Sequence, residues 1–215
     1  MMWRLKKLSM KRINYLLIFI VLIFSLFNVL SEFDRGIVIV LKDASIILTI
    51  TLPYIVKKIF NFDISEYLIF IWIIFIFLAH YLGVSLELYN KWYYFDKVTH
   101  FMSGVLSAGV AFLIIENMKY KNILFNILFI ISFTWFCAGM WEVFEFTCNY
   151  LFGGDAQKVA LTGVSDTMWD MIVAFFGSII ISFIYYFRKK KLLFLFFYKY
   201  SIFLFFCFII TIEGI

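Results

Sequence analysis

A bundle of membrane-crossing α-helices, all-α throughout, is the fold this sequence predicts, and three observations predict it. Long apolar runs recur along the chain, there is a single proline, and lysine and arginine gather in alternate segments between the runs. A run of roughly 20 apolar residues spans the hydrocarbon core as a helix, and inside lipid a helix satisfies its own backbone hydrogen bonds. The residues are 65% hydrophobic and 23% aromatic, with a mean hydropathy of +0.99, which excludes an ordinary soluble domain. No polar stretch is long enough to form a second domain, so residues 1–215 read as one polytopic integral membrane domain.

The first span covers about Asn14–Leu30, inside the 19 uncharged residues Ile13–Ser31. Arg4, Lys6, Lys7, Lys11 and Arg12 precede it, as in a signal peptide, but no small-residue cleavage site follows before Glu32-Phe33-Asp34-Arg35, so it reads as an uncleaved helix. The second span is Ile37–Val56, with Lys42 and Asp43 near its start and Pro53 near its end. The third is Tyr67–Leu86, carrying His80, and the fourth runs from about Lys97 to Ile115. The fifth begins near Asn122 and stays uncharged until Glu142; the sixth is Asp166–Phe187. A seventh, Leu192–Ile212 with Lys199, either spans or lies in the interface, giving about seven transmembrane helices.

Placing the N-terminus in the cytoplasm puts thirteen basic residues inside: the first five, Lys57, Lys58, Lys119, Lys121, Arg188, Lys189, Lys190 and Lys191. Arg35, Lys91, Lys97 and Lys158 fall outside. Every cytoplasmic segment then obeys the positive-inside rule, so the net charge of +5 is a topology signal and not a nucleic-acid patch. Cys137, Cys148 and Cys207 lie in apolar segments without metal-ligand spacing and read as packing residues. Trp92, Trp141 and Trp169 suit an interfacial aromatic belt.

That orientation brings the membrane-edge ionisable groups to one depth. Asp96 and His100 open the fourth span, Glu142 and Glu145 close the fifth, and Asp166 and Asp170 open the sixth, all in the extracytoplasmic half. His80 lies in the outer half of the third. Asp96/His100 and Asp166/Asp170 are spaced i,i+4 and Glu142/Glu145 i,i+3, so each pair shares one face of its helix. Helical bundles build carboxylate–histidine sites this way. Ser103, Gly104 and Ser107 continue the His100 face, and Gly104/Ala108 allows close helix approach, with Gly177 and Ser178 its counterpart on the sixth span.

Oxygen-rich ligands with an imidazole suit Mg²⁺, Mn²⁺, Fe or Zn²⁺, so Asp96, His100, Glu142, Glu145, Asp166 and Asp170 are the candidate metal ligands. Such an ion activates water or clamps a phosphate oxygen, and the depth of the cluster fits a lipid or lipid-linked substrate. His100, Glu142, Glu145 and Asp170 are the candidate catalytic groups, with Asp96 and Asp166 orienting or capping. Two other readings use the same residues. A proton or cation relay would serve a transporter, and hydrogen bonding alone would tie the helices together without catalysis. Aspartate at a helix start is also a favoured cap, which accounts for Asp96 or Asp166 taken singly. His80 reads equally as a packing residue or a ligand.

Three segments carry a resemblance: Asp96-Lys97-Val98-Thr99-His100-Phe101 with Ser103-Gly104, Trp141-Glu142-Val143-Phe144-Glu145, and Asp166-Thr167-Met168-Trp169-Asp170-Met171 leading to Gly177. In order and spacing they resemble the YjdF-like family of bacterial inner-membrane proteins, over roughly Tyr89–Ser178. The resemblance implies a multi-pass protein of the bacterial inner membrane and brings no established activity with it. Where the family pattern has a further polar residue one turn past the second Asp, this chain has Ala174.

Overall fold

The computed structural model describes residues 2–31, 37–61, 63–155 and 157–190. It contains α1 (Met2–Ser31), α2 (Ile37–Phe60) and α3 (Glu66–Ile76), which runs on as a π-helical segment, Phe77–Ser85. These are followed by α4 (Leu88–Lys91), α5 (Tyr93–Met118), α6 (Ile123–Phe152), α7 (Val159–Thr162) and α8 (Ser165–Lys189). Among the described residues there is no strand.

Five of these helical stretches are long and apolar enough to cross a membrane: Ser9–Ser31, Glu66–Ser85, Tyr93–Met118, Ile123–Phe152 and Ser165–Lys189. The all-α membrane bundle therefore holds, with five spans supported where the sequence predicts about seven. The expected second span is present as α2 but is not among the five. The expected seventh, 192–212, lies outside the described residues, as does Cys207.

Local chemistry sets the helix ends. Asn122 caps α6 by accepting from the Phe125 backbone N–H at 3.0 Å, and Ser65 caps α3 by accepting from Leu68 N–H at 3.2 Å. α6 stops at Gly153, whose φ of +76° is a conformation that side-chain-bearing residues rarely adopt.

The chain forms two compact units, the first closing at Phe95 and the second opening at Asp96. In the first, Ile18, Val21, Ile46, Ile50, Ile69, Ile73 and Ile76 pack α1, α2 and α3 together. Buried Asn14 on α1 donates to the main-chain oxygen of Glu66 at 2.8 Å and to its Oε2 at 3.1 Å. Trp72 Nε1–H donates to the Thr49 carbonyl at 2.9 Å, which fastens α3 to α2. His80 lies on the π-helical continuation of α3 in this unit.

The second unit holds α5 from Asp96 onward, α6 and α8. Its core is Ala108, Ala111, Phe112 and Ile115 from α5, Ile130 from α6, and Ile181, Ile184 and Tyr185 from α8. α6 buries Asn126, Ile130, Thr134, Ala138 and Glu142, a stripe at every fourth residue. α8 buries Asp166, Asp170, Ala174, Ser178 and Ser182 at the same spacing. The opposite faces present Phe136, Phe176 and Phe183, more than half exposed, as lipid-facing helices do.

α5 and α8 touch through glycine. A Cβ on Gly104 would overlap the Ala174 carbonyl, and one on Gly177 would stand 2.7 Å from both Phe101 O and Val105 N. Backbone meets backbone on both sides of this contact, the closest approach that small residues permit. It lies one to two turns from His100 and Asp170 and sets the distance between the two helices that carry them.

Candidate metal centre

α5 and α8 each deliver a pair of groups one turn apart to the same place. One ligand atom from each of Asp96, His100 and Asp170 lies within 4.8 Å of the other two, and all three residues are buried. The His100 Nε2 stands 3.5 Å from Asp96 Oδ1 and 3.8 Å from Asp170 Oδ1. Among the described residues this is the one group of three or more His, Cys, Asp or Glu side chains with metal-ligating geometry.

Two lysines stand among these acids. Lys97 Nζ donates to Asp166 Oδ1 and to Asp170 Oδ1, both at 2.6 Å, and lies 3.2 Å from Asp96 Oδ2. Lys158, from the connection between α6 and α8, reaches Asp96 Oδ2 at 3.0 Å and Asp166 Oδ2 at 3.7 Å. Three carboxylates thus face two ammonium groups and an imidazole. Charges away from water persist only when paired, and the lysines supply the pairing. The topology count registers a lysine's side of the membrane but not its partner.

The capping account of the aspartates does not describe this geometry. Asp166 is the second residue of α8, whose N-cap position is Val164 without a side-chain cap bond, and the Asp166 carboxylate goes to Lys97. Asp96 lies in the first turn of α5 and spends its oxygens on Lys97, Lys158 and His100. Both positions still suit the positive end of a helix dipole.

The two glutamates are held differently. Glu142 is buried and accepts from Gln157 Nε2 through its backbone oxygen at 3.2 Å and through Oε2 at 3.3 Å, while Oε1 has no hydrogen-bond partner. Glu145 accepts from Trp141 Nε1–H at 2.8 Å and lies within electrostatic range of Glu142, His100 and Asp96. So Asp96, His100 and Asp170 come together directly, Asp166 joins through Lys97, Glu145 acts on the group electrostatically, and Glu142 reaches it only by way of Glu145. Lys97, Lys158 and Gln157 are the participants that sequence reasoning missed. The one available signal was a lysine directly following Asp96 at the mouth of an apolar run.

At the other end of the same helices, Glu116 pairs with Lys189 at 2.7 Å and Arg188 at 3.7 Å, and buried Asn126 bonds the Tyr185 hydroxyl and the Tyr120 carbonyl. Thr134 and Ser178, between the two ends, return their hydroxyls to the Ile130 and Phe175 carbonyls of their own helices.

These features define a class: a polytopic α-helical membrane protein with a buried, charge-paired Asp–His–Lys cluster at one end of its helices. Over residues 11–191 the chain matches the family described as "Predicted membrane protein (DUF2238)", and it belongs to that family. The YjdF-like resemblance of the central motifs is consistent with it. No curated protein and no solved structure matches the chain.

Proposed function

We propose that Asp96, His100 and Asp170 bind a divalent metal ion and form the reactive centre of a membrane-embedded enzyme acting on a lipid or lipid-linked substrate. The observation that carries this reading is the convergence of two carboxylates and an imidazole, all buried, within 4.8 Å. Two oxygens and a nitrogen suit Mg²⁺, Mn²⁺, Fe or Zn²⁺, and three protein ligands leave positions open for water and substrate. An ion held there would supply Lewis acidity, lowering the pKa of a bound water and polarising a substrate oxygen. Glu145, in electrostatic range of His100, would be the group beside the ion able to take up or release a proton. Lys158 steadies Asp96.

Position supports a lipid substrate. Glu142 is 19 residues beyond Ile123, which at the helical rise is roughly 29 Å, close to the full depth of a hydrocarbon core. Lys119, Lys121, Arg188, Lys189 and Lys190 all lie at the opposite end of these helices. The positive-inside rule then assigns the cluster to the extracytoplasmic leaflet of a bacterial inner membrane, at headgroup level.

Purified protein should carry close to one equivalent of metal, lost in His100→Ala and Asp170→Asn. Absence of metal, with thermal stability indifferent to chelator, would sink the proposal. The second reading, a structural clamp, draws on the paired 2.6 Å contacts of Lys97 to two acids of α8. On that reading the same substitutions lower stability and abolish no cellular phenotype. A relay to the other face is disfavoured by the inward-bonded hydroxyls of Thr134 and Ser178.

A further inference from the structure

The position of Lys97 bears on how any cation enters this site. Its ammonium contacts both carboxylates of the candidate ligand group, Asp170 Oδ1 at 2.6 Å and Asp96 Oδ2 at 3.2 Å. It therefore lies between those two acids and holds an oxygen that an ion bound to them would need. Asp170 Oδ1 is also the oxygen that faces His100 Nε2. A tethered monovalent cation and a free divalent one compete for one oxygen, and in a partly desolvated site the repulsion between them is strong. The lysine also has somewhere to go. It already holds Asp166 Oδ1 at 2.6 Å, and the second oxygen of that carboxylate, Oδ2, is buried without a hydrogen-bond donor, with Lys158 3.7 Å away. A buried acceptor left without a donor is costly, and a second bond from Lys97 would satisfy it.

Resting on the metal reading above, we infer that Lys97 is a built-in competitor for the metal position: it occupies the Asp96–Asp170 gap when no ion is bound and retires onto Asp166 when one binds. Asp166 is then not a ligand but the station that receives the displaced ammonium. This assigns separate roles to the two aspartates of α8, which lie one turn apart. It also makes Lys97 a residue that sets metal affinity without touching the metal.

Mn²⁺ binding to the purified full-length protein, followed by titration calorimetry and by Mn²⁺ paramagnetic resonance, tests this. Lys97→Met should bind Mn²⁺ more tightly than the unaltered chain, by about tenfold or more, because the competing charge is gone. Lys97→Arg keeps the charge and should retain the weaker affinity. Asp166→Asn should weaken binding by trapping Lys97 on Asp170, and Lys97→Met in the Asp166→Asn background should restore it. Equal or weaker binding by Lys97→Met, with Mn²⁺ still bound by the unaltered protein, overturns the competition and leaves the metal site standing. Should Lys97→Met fail to fold, the same decision rests on Asp166→Asn, whose unchanged affinity would overturn the proposal. No Mn²⁺ in any variant overturns the metal reading and this inference together.

Discussion

The glycine contact between α5 and α8 yields the sharpest prediction, since it links packing to the site and depends on backbone geometry alone. Gly104→Ala places a methyl group into the Ala174 carbonyl, and Gly177→Ala places one 2.7 Å from Phe101 O and Val105 N. Ordinary contact for such a carbon is about 3.5–4.0 Å, so the helices must separate by roughly 1 Å. No flexible side chain can turn aside, because backbone lies on both faces. Overpacking of this kind costs about 1–3 kcal/mol, and the propensity gain of Gly→Ala in a helix returns up to about 1 kcal/mol. A net loss of about 1–2 kcal/mol is expected for Gly104→Ala, and somewhat less for Gly177→Ala. Gly139→Ala is the internal control, since the nearest atom to its added carbon is Met171 Cε at 3.8 Å. That variant should be neutral or stabilised by up to about 1 kcal/mol. Reversible unfolding in mixed micelles reads all three. The same separation stretches the 2.6 Å Lys97–Asp170 contact, so Gly104→Ala should alter metal affinity as well. Stability of Gly104→Ala and Gly177→Ala within about 0.5 kcal/mol of Gly139→Ala would refute the reasoning, because propensity alone would then govern all three.

Two further predictions compare ion pairs and polar contacts by burial. Glu116→Gln removes a carboxylate 28% exposed from its pairs with Lys189 and Arg188, and unfolding should show a loss of no more than about 1 kcal/mol, reduced further by salt. Asn14→Leu strips Glu66 of two buried donor contacts and should cost about 1–3 kcal/mol in the same assay; a cost near zero would mean that α1 and α3 are held by their apolar contacts alone.

The site was legible in the sequence to the extent that each helix displays its own contribution. Spacings of four residues in Asp96/His100 and Asp166/Asp170 fix a shared face from helical geometry alone, and these pairs do meet. What lies between helices was not legible. Lys97 neighbours Asp96 in sequence, yet its short contacts are 69 and 73 residues away on α8, and Lys158 reaches back 62 residues to Asp96. Such pairings depend on helix rotation and separation, which periodicity leaves open. The same gap accounts for Asp166, a plausible cap as a local motif and an ion-pair partner in the fold.

By itself, then, the sequence determined that the chain is helical and lives in lipid, because hydropathy and run length act locally and leave the backbone no other solution. It also determined which faces carry acid, since 3.6 residues per turn is a property of one helix. Only the tertiary structure decided that Gly104 and Gly177 bring α5 against α8, and that two lysines fall among three aspartates. The physical reason is desolvation: whether a carboxylate is paired, capped or left for a metal depends on which charges share its low-dielectric surroundings, and those arrive from other helices.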